Sequence, residues 1–167
     1  MRPKGRRGRK ATERPAVTES LRAAVVLGVG LGGFFDGILL HQILQWHHML
    51  GTPLPPDTLE NLQLNTVADG LFHGATWVLT LLGLFLLARS RRDLPQVDGM
   101  SRLVGGMLIG WGLFNLVEGI VDHHLLQIHH VRPGPDEFLY DVGFLAWGAI
   151  MLVAGAFLSR PTTRPAT

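Results

Sequence analysis

Four long apolar segments constrain this chain more than any other feature. They cover about Leu21–Leu50, Asn65–Arg89, Ser101–His130 and Phe138–Ser159. Each has room for the roughly 20 residues that cross the hydrocarbon core of a bilayer. A segment in lipid has no water to satisfy its peptide groups, so each must be helical. Composition agrees: 47% of the 167 residues are hydrophobic and 17% charged, where a soluble domain carries about 25% charged residues. The first segment is too long for a signal-peptide core and no A-x-A cleavage site follows it. Thr18, Glu19 and Ser20 suit a helix start, and Pro53, Pro55 and Pro56 suit a stop beyond its far end.

The two halves of the chain match each other. At an offset of 82, Gly28, Gly37, His41, Gln45, His47 and His48 meet Gly110, Gly119, His123, Gln127, His129 and His130, and Asp36 meets Glu118. Further on the offset is 72: Asp69 meets Asp141 and Phe72 meets Phe144. The fold class is therefore all-α, an integral membrane four-helix bundle built from two tandem helix-hairpin repeats. Copies of two spans each keep one orientation and are related by an axis along the membrane normal. The expected divisions are a basic, disordered tail over 1–20, a first helix pair over 21–90, a linker over 91–100, a second pair over 101–160 and a short tail over 161–167. Small-xxx-small glycines such as Gly28, Gly32, Gly106 and Gly110 let helices approach closely. Gly28-x-Gly30-x-x-Gly33 matches a dinucleotide fingerprint but lies within a span, with no strand before it, so that reading fails.

Arginine fixes the expected orientation. Arg89, Arg91, Arg92 and Arg102 flank the middle loop, and Arg160 and Arg164 lie in the last tail. The loop over 51–64 has no Lys or Arg, and the loop over 131–137 has only Arg132. The positive-inside rule puts both termini and the middle loop in the cytoplasm. The basic start MRPKGRRGRK is a topology signal on this reading; no nucleic-acid partner is expected. The partners are the bilayer and a metal ion.

The polar residues then fall into one layer. A rise of 1.5 Å per residue lifts Asp36 about 21 Å above Arg22, and Glu118 about 24 Å above Arg102. His41, His73, Asp69, Asp122, His123, His124 and Asp141 reach the same outer leaflet. His47, His48, His129 and His130 would lie two turns further out, near the surface, as interfacial caps beside Trp46 or as an outer entry site. Five acids stand in or at the edge of the membrane with no Lys or Arg among them. An unpaired intramembrane carboxylate costs at least about 2.5 kcal/mol. The acids hold their protons, face water or hold a cation. The eight histidines favour a cation, because imidazole suits zinc, copper, iron and nickel and carboxylate adds hard oxygen ligands.

The expected ligands are His41, His73, His123, His124, Asp36, Glu118 and Asp122. Asp69 and Asp141 serve as helix N-caps or support the ligands, and Gln45 and Gln127 as supporting hydrogen-bond partners. The expected cofactor is a transition ion, copper or iron first and zinc next; with no cysteine, a structural thiolate zinc site is excluded. Haem ligated through His41 or His123 ranks lower. The other functional readings are a proton or cation relay or transporter, and a non-catalytic assembly factor. No nucleophile–base pairing stands out, so the residues do not decide whether the protein is an enzyme.

Two resemblances follow from the motifs. HQILQWHH and HHLLQIHH are loosely similar to the H-x-x-H-H boxes of membrane di-iron desaturases and hydroxylases. More specifically, GFFDGILLHQILQWHHML, ADGLFHGATW and NLVEGIVDHHLLQIHHVR resemble the signatures of a bacterial family of four-span membrane proteins of unknown function, over about residues 21–159. That resemblance implies a small integral membrane protein with no assigned activity, with a respiratory complex as partner. The expected location is the bacterial inner membrane, and a second copy of the chain is the other expected partner.

Overall fold

A computed structural model describes residues 7–90 and 99–160 of the chain. Helix α1 runs over Arg7–Asp36, α2 over Leu59–Ser90, α3 over Gly99–Glu118 and α4 over Glu137–Leu158. All four belong to segments long and apolar enough to cross a membrane, over Glu19–Ile43, Leu59–Ser90, Gly99–Leu125 and Glu137–Leu158. No strand occurs among the described residues. The protein is an all-helical, multi-pass membrane protein. Helix α1 begins at Arg7, within the stretch expected to be irregular and well before Thr18. Arg91, Arg92 and Arg164, most of the expected linker and the last tail lie outside the described residues.

Helices α1 and α3 form the central pair; α2 packs on α1 and α4 on α3, and among the described residues α2 and α4 do not meet. Glycine makes these contacts possible. A Cβ on Gly28 would collide with the Met107 backbone, and one on Gly110 with the Val25 carbonyl oxygen. On the flanks, Gly83 of α2 lies against the Leu27 backbone and Gly155 of α4 against Ile109. Between lipid-solvated helices, association relies on packing of this kind rather than on hydrophobic burial.

The polarity is inverted relative to a soluble domain. Leu71, Trp77, Phe85, Ile150, Val153 and Phe157 are exposed on α2 and α4, as a lipid-facing surface requires. The largest fully buried side chains are His41, His123, His129, Asn65, Asp69 and Asp141. The core at this end of the molecule is thus polar, and it is where the site forms.

A candidate metal centre between the two halves

The site is built by a break in helical geometry that occurs twice. After Asp36 the chain widens into a π-helical stretch over Gly37–Ile43, and after Glu118 into another over Gly119–Leu125. Leu44 N–H bonds the Leu39 carbonyl, five residues back, and Trp46 N–H bonds that of Leu40. Leu126 and Ile128 repeat both bonds to Val121 and Asp122. The turn is completed by a left-handed residue, Gln45 at φ 48° and Gln127 at φ 50°. Wide turns of this type cluster at functional sites.

This geometry corrects the expectation that α-helix continues to His48 and His130. The helical stretch stops at Ile43, before the prolines that were expected to end it. The chain then folds back, and His47 and His129 are buried at 4% and 1% exposure rather than standing near the surface. Gln45 and Gln127 are exposed; their backbone makes the turn.

Six buried side chains converge: Asp36, His41, His47, Glu118, His123 and His129. Three overlapping groups can each offer a metal ion one donor atom per residue, with the donor atoms mutually within 4.8 Å. They are His41 with His47 and His129, Glu118 with His123 and His129, and Asp36 with His41 and Glu118. His41 Nε2 lies 3.1 Å from Asp36 Oδ2, and His129 Nε2 3.7 Å from Glu118 Oε1. The His47 and His129 rings stack at 4.8 Å, and His41 meets His47 edge-on at 4.4 Å.

Most of the imidazoles are held from behind through Nδ1. His41 Nδ1–H donates to Asp69 Oδ1 at 2.9 Å, and His123 Nδ1 lies 3.3 Å from Asp141 Oδ1. His47 donates to the Val131 carbonyl at 2.7 Å and His129 to that of Met49 at 3.2 Å. The forward atoms are left over. Among the described residues, no protein group makes a directed hydrogen bond to the Nε2 of any of these four histidines, His123 Nδ1, Asp36 Oδ2 or either Glu118 oxygen, although His41 Nε2 and Asp36 Oδ2 face each other as an ion pair. Leaving one buried polar atom unsatisfied costs about 1–3 kcal/mol, so a concentration of such atoms in one place needs a reason. Burial, first, and the neighbouring imidazoles hold His47 at a pKa of about 4 and His129 at about 2. Both rings are therefore neutral at pH 7, with their lone pairs available to a metal.

Asp69 and Asp141 do not cap their helices. They lie within α2 and α4, which begin at Leu59 and Glu137. Besides His41, Asp69 accepts from His48 at 2.7 Å and from the Met49 N–H at 2.8 Å; Asp141 accepts from His130 at 2.7 Å and the Val131 N–H at 2.9 Å. Each carboxylate thus fixes both a ring and the returning chain. His48 and His130 belong to this supporting layer, with ring nitrogens turned to Asp69 and Asp141.

Three expected ligands stand outside the cluster. His73 donates Nδ1–H to its own helix at the Asp69 carbonyl, 2.7 Å away, and packs against Gly37. Leu145 fills the matching place against Gly119, so the position suits an apolar side chain. His124 packs edge-on to Phe138. Asp122 shares with Glu118 a cleft of about 270 Å³ walled by Val29, Phe72 and Phe114. A second cleft of about 320 Å³, beside Trp46 and Tyr140, reaches Asp36 from the other side, with Leu40 where Asp122 would be.

Fold and cluster together define a multi-pass membrane protein built around a buried histidine–carboxylate core. The chain belongs to the family described as predicted membrane protein (DUF2243), whose model matches residues 23–162. That family has no assigned function. Neither curated proteins nor solved structures match the chain.

Proposed function

We propose that the protein binds a transition metal at the cluster of Asp36, His41, His47, Glu118, His123 and His129, for metal handling or redox chemistry. One observation carries this reading: the forward atoms make no directed hydrogen bond to protein and approach only one another, while three of the four rings are hydrogen-bonded from behind. A cation supplies what the unpartnered carboxylates and lone pairs lack. Imidazole with carboxylate suits iron, copper and zinc. Haem fits poorly, because rings packed at 4.4–4.9 Å leave no slot for a macrocycle between them. The arginine bias, with Arg89, Arg102 and Arg160 at the opposite end of the helices from the cluster, supports a reading in which both termini are cytoplasmic, the membrane is the bacterial inner membrane and the centre lies near the outer face.

Elemental analysis of detergent-purified protein tests the reading. Stoichiometric first-row metal is expected, and its loss in the double variant His41→Ala/His123→Ala. Protein that neither carries nor takes up metal overturns it.

A second reading, a proton or cation relay, draws on Asp122, which shares a cleft with Glu118. Flux through proteoliposomes that stops in Asp122→Asn supports it; flux unchanged by that substitution and by Glu118→Gln removes it.

A further inference from the structure

Resting on the metal-binding reading, we infer that the centre holds two metal ions bridged by the Glu118 carboxylate. The donors form three overlapping groups rather than one compact set. Asp36, His41 and Glu118 make one group, and Glu118, His123 and His129 another; the two share Glu118 alone. His47 stands beside His41 and His129 in the third group, at the junction of the other two. One ion, with bonds of about 2.0–2.2 Å to His and carboxylate, brings its donors into a single mutually close set. Donors spread over adjoining groups suit two ions at the roughly 3.5–4 Å of a two-metal site.

Glu118 is suited to bridge. It is 5% exposed, and neither of its oxygens has a hydrogen-bond partner among the described residues. A carboxylate that serves one ion through one oxygen usually spends the other on a protein donor. Here neither oxygen is spent on a protein hydrogen bond, which leaves one for each ion. The matching residue, Asp36, is a methylene shorter and occurs in only one group. The longer acid thus stands where the reach is needed. With four imidazoles, each neutral once it ligates an ion, and two carboxylates, a pair of divalent ions keeps a net charge of about +2, and a third carboxylate, supplied through either cleft, would reduce it.

Cobalt(II) added alone to metal-free protein in detergent provides the test. Binding is expected to saturate at two ions per chain, and the paramagnetic resonance intensity per ion to fall as the second ion enters, because bridged ions couple. Glu118→Gln is expected to hold no more than one ion per chain, with undiminished intensity. His123→Ala, which spares the bridge, should hold one. Saturation at one ion in the wild type, or two uncoupled ions, overturns the bridged pair and leaves the metal-binding reading standing. No uptake of cobalt, iron, copper or zinc by the wild type removes that reading too.

Discussion

His47 of the first half donates its Nδ1–H to the Val131 carbonyl of the second half at 2.7 Å, and His129 returns the bond to Met49 at 3.2 Å. Val131 and Met49 are themselves held through their N–H groups by Asp141 and Asp69. Each half therefore orients a histidine of the other, through a peptide group that its own α2 or α4 aspartate fixes. The centre is an interface between two helix pairs, and neither pair can complete it alone.

Under the proposed metal-binding function, Asp69 and Asp141 matter more to the metal than to the fold. Asp69→Asn keeps an oxygen for the Met49 N–H but removes the charge that fixes His41. Substitutions behind a metal ligand commonly cost 10–100-fold in affinity. A loss in that range is expected for Asp69→Asn and for Asp141→Asn, measured by competition with a chromophoric chelator, with helical content unchanged by circular dichroism. Unaltered affinity in both would mean that the aspartates serve the backbone only.

Stability should fall on mild acidification. The pKa of His47 is lowered from 6.5 to about 4, and that of His129 to about 2. An unfolded chain takes up protons at these rings as pH drops through about 6.5, whereas the folded chain does not until near 4. The stability these neutral rings contribute is therefore present above pH 6.5 and lost progressively below it. Metal-free protein should show a thermal midpoint that declines from pH 7 to pH 4.5, and His47→Asn should flatten the slope. A midpoint independent of pH across that window would contradict the burial of neutral imidazole.

Much of this architecture was legible in the sequence, for a physical reason. Apolar length reports a span directly, and the paired residues at an offset of 82 pointed to Asp36, Glu118, His41 and His123. His47 and His129 belong to the same pairs, but an ideal helix from Phe34 to His48 carries them out to the surface. A π-helical turn closed by a left-handed glutamine has no apolar periodicity to betray it. His73, His124 and Asp122 looked like ligands by depth and chemistry. Their partners at the repeat offsets are Leu145, Gln42 and Leu40, and that missing symmetry was the usable signal.

The α1–α3 crossing should be intolerant of any side chain. Gly110→Val would drive its Cβ into the Val25 carbonyl oxygen, and Gly28→Val would drive its own into the Met107 backbone. Relief requires the central helices to separate, which opens the cluster above them. Both variants should lower the unfolding midpoint in detergent by at least the equivalent of about 2 kcal/mol, within the range for overpacking, and reduce metal content. Gly70→Ala serves as the control, because a Cβ there meets nothing within 4 Å; it should be neutral or slightly stabilising.

The left-handed glutamines give the sharpest test of how the site is made. Gln45 and Gln127 hold φ of 48° and 50°, a region that costs a residue with a Cβ roughly 1–2 kcal/mol and a β-branched one more. Both side chains are exposed, so their replacement disturbs no core packing. Gln45→Gly relieves the backbone strain while loosening the unfolded chain, and the two effects should leave stability within about 1 kcal/mol of wild type. Gln45→Val should cost more than about 1 kcal/mol, because its branched side chain resists the turn. The metal should report the difference more strongly than the midpoint does. If the turn is what carries His47 into the centre, Gln45→Val loses metal affinity and Gln45→Gly keeps it. Equal affinities in the two variants would show that His47 reaches the cluster without the left-handed turn.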